Sequence, residues 1–312
     1  MPGLDLRKVD AVRRPLEKTS PARRRRIAAV GLGGAALLLS ACSPRVERGY
    51  LPHGVTKNAN EVIDFWLGTW YWTLAVGVLV WGLIFWCIVR YRRRKSDTGF
   101  PAQMQYNVPL EILYTVVPIV MVAVLFGKTV GLENKLLDTS QKPDVTINVV
   151  GKQWSWDFNY ADEKVYETGV MADMKAGKPG AEKGLPTLYL PVNKRVEFVL
   201  TTRDVIHTFW VPQFMQKLDM IPSRVNRFAV DTTEEGTFKG KCAELCGAYH
   251  SQMLFNVKVV SQEEYDKHMD DLRKQGKTGF LSNSLNRASV DPKDQQFLPD
   301  GLDSSDIVKE GK

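Results

Sequence analysis

From Cys242 to Met253 the chain reads Cys-Ala-Glu-Leu-Cys-Gly-Ala-Tyr-His-Ser-Gln-Met, which places two thiols, an imidazole and a thioether within twelve residues. A second imidazole stands upstream in Asp204-Val-Ile-His207. Thiolate and thioether select copper among the common metals, imidazole tolerates it, and Cys, His and Met together are the donors of copper electron-transfer centres. Cys242 and Cys246 can each bridge two ions. With His207, His250, Met253 and a nearby backbone carbonyl, there are too many donors for one four-coordinate ion but enough for two coppers sharing both sulfurs.

Two other readings compete. A structural zinc site prefers cysteines two apart and a histidine pair three to five apart, whereas here the cysteines are four apart and one histidine is distant. A Cys242–Cys246 disulfide is the stronger competitor, because thiols exported from the cytoplasm pair by default. A structural disulfide needs neither His250 nor Met253, so their presence in the same short loop favours metal.

The elements that must position these donors begin in the membrane. At 312 residues and 44% hydrophobic content the chain can hold more than one module. Its formal charge of +7 is no sign of nucleic-acid binding, because the excess is local. Residues 1–41 hold nine Lys or Arg against three Asp or Glu, residues 42–110 eight against four, and residues 111–312 twenty-five against 28. Arg23 to Arg26 precede an apolar run from Ile27 to Ala41 of signal-peptide length, ending in Leu39-Ser-Ala-Cys42. This tetrapeptide resembles the bacterial lipoprotein box, which implies a signal peptide over 1–41 and lipidation of Cys42; an ordinary short membrane anchor is the alternative.

After an exported segment over 42–64, Phe65 to Val89 runs 25 residues without a charge and is rich in Trp and Tyr, as a spanning helix with interfacial aromatics is. It ends against Arg90-Tyr-Arg-Arg-Arg-Lys95, which belongs on the cytoplasmic side. Ile112 to Leu132 makes the return span, with Pro118 as an expected kink and Lys128 near enough to the far end to snorkel. The expectation is a transmembrane helical hairpin over 65–132, with everything after residue 133 outside the cell. Cys87 reads as a buried apolar residue of the first helix.

From Val145 the pattern changes to short runs with turn residues between them. Strands are expected at 145–150, 187–190, 195–200, 227–230 and 254–260, forming a small all-β sandwich or barrel over 133–260. The donors then sit on loops at one end, and 161–185 reads as a loop insertion. Ser261 followed by Glu263 and Glu264 marks the start of a helix running to about Gln275. The remainder of 261–312 is a polar tail, expected to be extended until it meets a partner. His53 and His268 read as ordinary surface residues.

The hairpin, the segment Gln153-Trp-Ser-Trp-Asp-Phe-Asn-Tyr160, Asp204-Val-Ile-His207, Lys217-Leu-Asp-Met-Ile-Pro-Ser-Arg224 and the Cys242–Met253 loop together closely resemble subunit II of cytochrome c oxidase. The resemblance covers about residues 60–260. It implies a cupredoxin-like domain holding the binuclear copper centre CuA, which accepts electrons from cytochrome c and passes them to the haems of subunit I for reduction of oxygen to water. By motif position His207, Cys242, Cys246, His250 and Met253 would be side-chain copper ligands and Glu244 a backbone-carbonyl ligand. The Glu244 carboxylate would also bind a magnesium or manganese ion shared with subunit I. Trp154 would receive the electron, Glu111 would stand at the mouth of a proton path, and Arg224 would be a structural arginine near the copper. Subunits I and III, cytochrome c or a cytochrome c-bearing bc complex, and membrane lipid are the implied partners, in a bacterial cell membrane with the copper domain on its outer face.

The lipoprotein box, the 161–185 insertion and the long tail depart from the minimal family pattern and suggest extra surface for a cytochrome-bearing partner. Three other functions fit the residues less well. A membrane lipoprotein that delivers copper would gain little from a preorganised, slow-exchanging site. A quinol oxidase subunit II would have no use for Cys242 and Cys246. Nitrous oxide reductase has a similar copper domain but lacks the hairpin.

Overall fold

The computed structural model describes residues 43–94, 97–100, 103–173, 184–222 and 224–281. The expected signal peptide and Cys42 therefore lie outside the described residues, as do the middle of the 161–185 segment and the tail from residue 282. A single helical turn, Pro44–Glu47, is capped by Ser43.

Helix α1, Lys57–Arg90, and helix α2, Val108–Leu136, are the two expected spans, each longer than its apolar run. At about 1.5 Å per residue, α1 is roughly 50 Å long against a hydrocarbon core of about 30 Å, so its ends project. Asn107 begins α2, its side chain accepting the Leu110 N–H at 3.3 Å while Glu111 accepts the Asn107 N–H at 2.9 Å. These bonds satisfy donors that a helix start would otherwise leave open. The helix continues through Pro118. Only Ala59 and Ile63 are buried in α1, and no residue is buried in α2. Cys87 is exposed, which corrects its expected burial: among the described residues the hairpin has almost no core of its own.

The β domain is a sandwich of two five-stranded sheets. The first has the order β3-β2-β1-β5-β8, with β1 at Val145–Lys152, β2 at Ser155–Tyr160, β3 at Val165–Thr168, β5 at Arg195–Thr202 and β8 at Asn226–Asp231. The second has the order β4-β10-β9-β6-β7, with β4 at Thr187–Pro191, β6 at His207–Val211, β7 at Gln216–Met220, β9 at Gly236–Cys242 and β10 at Leu254–Val260. The pairs β1·β5 and β4·β10 are parallel and the rest antiparallel. Trp156, Phe158, Phe198, Phe209, Phe228 and Phe255 fill the space between the sheets, their rings packed in edge and tilted pairs.

The expected strands are present with ends shifted by at most two residues. The 161–185 segment is not wholly loop, because it opens with β3, which pairs with β2 from Asp157↔Thr168 to Tyr160↔Val165. Helix α3, Gln262–Lys274, starts at Ser261, whose side chain accepts the Glu264 N–H at 3.3 Å. It buries Tyr265, Met269 and Leu272 against the sandwich. His268 on this helix is not a surface residue: its ring stacks on Tyr189 with centroids 3.6 Å apart.

Candidate metal centre

The donors meet because three neighbouring strands end together. Cys242 closes β9 and Met253 precedes β10, and the Cys242 N–H donates to the Met253 carbonyl at 3.0 Å, so the loop between them leaves and returns at one point. Phe209 of β6 pairs with Cys242, and the Ala243 N–H donates to the Thr208 carbonyl at 3.2 Å, which brings His207 to the same end. Cys246 and His250 hang on the loop itself. The Gly247 backbone has φ +121, where glycine is favoured, and a Cβ there would stand 3.2 Å from the Trp154 ring.

The two sulfurs lie 3.8 Å apart. Beside Cys242 Sγ are His207 Nδ1 at 3.8 Å and the Glu244 carbonyl oxygen at 3.3 Å. Beside Cys246 Sγ are His250 Nδ1 at 3.4 Å and Met253 Sδ at 3.9 Å. Each sulfur thus has one imidazole nitrogen and one weaker donor next to it. A tetrahedral shell with bonds of about 2.0–2.3 Å has edges of about 3.3–3.8 Å, so the spacing of these donors fits metal coordination. It does not fit a disulfide, whose sulfurs stand about 2.05 Å apart, and both cysteines are free thiols. His207, Cys242, Cys246 and Met253 are buried, while His250 is half-buried.

His207 is held from behind. Its Nε2 lies 2.8 Å from Asp204 Oδ1, and Asp204 also accepts the Gln153 N–H at 2.7 Å and the Val205 N–H at 2.8 Å. A proton on Nε2, the assignment this network favours, leaves the Nδ1 lone pair facing the sulfurs. The ring packs on Gly151, where a Cβ would come within 2.9 Å of His207 Cδ2.

Burial works against the Cys242 thiolate, but the His207 ring together with the Glu244 and Thr208 backbone holds this thiol down at about 7. Burial and then the charge of Cys242 push Cys246 up to about 12. The pair thus gives up one proton near neutral pH and resists losing the second. A bound cation is what would favour both thiolates.

Trp154 stands at the surface side of this loop. Its half-buried indole donates from Nε1 to the Cys246 carbonyl at 3.1 Å, beside a second donor to that oxygen, Gln153 Nε2 at 2.9 Å. Tyr249 meets the Trp154 ring edge-on at 4.8 Å. On the buried side, Trp156 Nε1 donates to the Met253 carbonyl at 3.3 Å. Asp204, Gln153, Gly151 and Trp156 support the site without being ligands. Only Asp204 leaves a trace in the sequence, an acid three residues before a candidate ligand; the others act through strand pairing that spacing does not reveal.

Other expected positions lie elsewhere. Glu111 is in the first turn of α2, roughly 38 Å along the helix from Leu136, and its carboxylate accepts the Asn107 N–H. Arg224 is exposed beyond β7, and Glu244 is exposed beside the donors.

Comparison with known proteins places these features in one family. Residues 45–127 match the cytochrome c oxidase subunit II transmembrane domain and residues 145–260 match its periplasmic domain. The probable cytochrome c oxidase subunit 2 of Streptomyces avermitilis is 44% identical over 297 residues, covering 86% of this chain and 93% of that protein. Its counterpart in Streptomyces coelicolor is 42% identical over 300 residues, with coverage of 86% and 93%. The crystal structure of the periplasmic domain of subunit II of cytochrome oxidase from Bradyrhizobium japonicum is 34% identical, with a TM-score of 0.40, and covers 43% of this chain and 97% of that one. The chain belongs to the cytochrome c oxidase subunit II family.

Proposed function

We propose that this chain is the electron-accepting subunit of a haem-copper oxidase, taking electrons from a cytochrome c or a cytochrome c-bearing bc complex at Trp154 and holding them at a two-copper centre. The side chains of His207, Cys242, Cys246, His250 and Met253, with the Glu244 carbonyl, are its ligands. When bound, this centre supplies a one-electron carrier for the haems of subunit I. The observation that carries the reading is the paired donor arrangement, in which each of two adjacent sulfurs has its own imidazole and its own weaker donor within 4 Å.

The chain's own residues prepare the site. Asp204 orients His207, the sandwich excludes water from both sulfurs, and loop and strands hold the donors in place, so the centre needs little rearrangement when its charge changes. Trp154 offers a short route inward: indole N–H to the Cys246 carbonyl, then through that residue to its sulfur. The β domain stands on the outer face of the membrane, carried by α1 and α2. The Glu244 carboxylate, on an exposed residue, would hold magnesium or manganese against subunit I. Subunit III completes the assembly. For Glu111, the helix-capping bond accounts for its position, and a proton-path role rests on the family resemblance alone. Cys42 is assigned as the lipidated residue of the mature chain on its sequence box.

Copper analysis of the purified complex tests the centre. Wild type should hold two coppers in this subunit and show a mixed-valence paramagnetic signal, and Cys246→Ser should lose that signal. One copper per subunit, or an unchanged signal in Cys246→Ser, would reject the binuclear assignment.

A further inference from the structure

Between the two helices, Asp64, Gly68 and Trp72 of α1 and Val120, Val124 and Lys128 of α2 line a largely apolar cavity of about 340 Å³. The helices are antiparallel, so Asp64 is level with Lys128 at one end of the cavity and Trp72 with Val120 at the other. The charged end is the outer one, because Arg90 and the basic residues after it lie at the opposite end of α1. From Asp64 to Trp72 the cavity follows about 12 Å of helix, close to the roughly 15 Å of hydrocarbon in one leaflet.

The two charges at its mouth are the informative feature. Asp64 and Lys128 line the same cavity, yet neither side chain has an ion pair or hydrogen bond to another of the described residues. Further out, Lys135 and Glu61 do close across the same helices at 2.7 Å. Asp64 and Lys128 instead line the cavity from opposite helices. Near the end of a span such charges reach the interface, where a charged lipid headgroup can pair with them.

We propose that this cavity binds one aminophospholipid of the outer leaflet. Lys128 takes the phosphate, Asp64 takes the ammonium, and one acyl chain lies along Gly68, Val120 and Val124. A zwitterionic headgroup supplies both missing counter-charges in one molecule, whereas an anionic headgroup without an amine would set a negative charge beside Asp64. Gly68 provides a clean probe, because a Cβ built there meets nothing within 4 Å. A larger side chain would enter the cavity without moving the backbone.

The test uses the complete oxidase complex, extracted in mild detergent and examined by native mass spectrometry and by analysis of its retained phospholipid. Wild type should keep one aminophospholipid at this site. After delipidation it should rebind phosphatidylethanolamine in preference to phosphatidylglycerol. Gly68→Leu should lower occupancy by about tenfold or more, and Lys128→Gln should weaken both lipids by about tenfold, the effect of losing one charge-assisted bond. Asp64→Asn should abolish the preference between them. Copper content and subunit composition, read in parallel, should stay at wild-type values in all three variants. Equal retention in Gly68→Leu and wild type would overturn the proposal. So would cross-linking of Val124→Cys to another subunit in place of a lipid-borne probe, which would assign the cavity to a protein helix.

Discussion

In the β domain Trp156, Phe158, Phe198, Phe209, Phe228 and Phe255 are buried on one another, while in the hairpin Trp81, Phe85 and Leu113 each expose more than half of their surface. Both regions are rich in large apolar residues. They differ in where those residues find a non-aqueous surrounding: the sandwich makes its own, and the helices take theirs from lipid and neighbouring subunits. The metal donors lie entirely in the self-sufficient region. A redox centre needs ligands that hold still, and close packing supplies that where a loosely paired hairpin would not.

The strongest way to break this comparison is to cut the molecule at it. Residues 138–281, produced without the helices, should fold and take up copper in the same ratio as the full chain, read by metal analysis and circular dichroism. Failure to fold would mean that contacts such as the 3.0 Å bond from Gln216 Nε2 to the Leu136 carbonyl are indispensable, and the domain is not self-sufficient.

A smaller effect separates electron transfer from packing within the domain. Trp154→Phe keeps an apolar ring but removes the Nε1 donor to the Cys246 carbonyl. Copper content should be unchanged while reduction by cytochrome c slows by on the order of tenfold or more. An unchanged rate at matched copper occupancy in stopped-flow measurement would place electron arrival elsewhere.

Next comes the acid response of the domain. Burial, aided by Lys277 and Lys258, pulls His268 down to about 4. Glu167, 3.9 Å away, does not reverse this because Lys277 already engages it at 3.0 Å. A histidine whose pKa is depressed on folding contributes stability that is complete above its unfolded value and is lost as pH falls towards its folded value. The domain should therefore lose about 2–3 kcal/mol between roughly pH 7 and pH 4 through this residue. His268→Gln should flatten that limb in urea titrations; an identical pH dependence would show that the ring is not kept neutral.

The smallest effect belongs to the hairpin. The Glu61–Lys135 pair is half-exposed on both sides, so Glu61→Gln should change thermal stability by no more than about 1 kcal/mol. A larger loss would mean that the helices are held to each other more tightly than their exposed faces suggest.

Much of this was legible in one dimension. Two apolar stretches of membrane length, one uncharged and one carrying only Lys128, read as spans because an apolar run is its own partition signal. The Cys242–Met253 loop was legible because its donors are close in sequence. His207 was legible through the family motif, although strand pairing of β6 with β9 is what brings it 3.8 Å from Cys242 Sγ. β3 escaped because four residues among glycines and charges carry too little periodicity. His268 was misplaced because its cover is Tyr189, 79 positions away in the chain.

The sequence alone determined the kinds of donor, their number and the membrane topology, since ligand softness and hydrophobic length are properties of residues and runs. Tertiary structure decided the rest: that the sulfurs stand 3.8 Å apart as thiols, that Asp204 backs His207, and that Trp154 reaches the Cys246 carbonyl. Those are distances between residues up to 92 apart in the chain. They are set by which strands pair and in what register, and no local spacing encodes them.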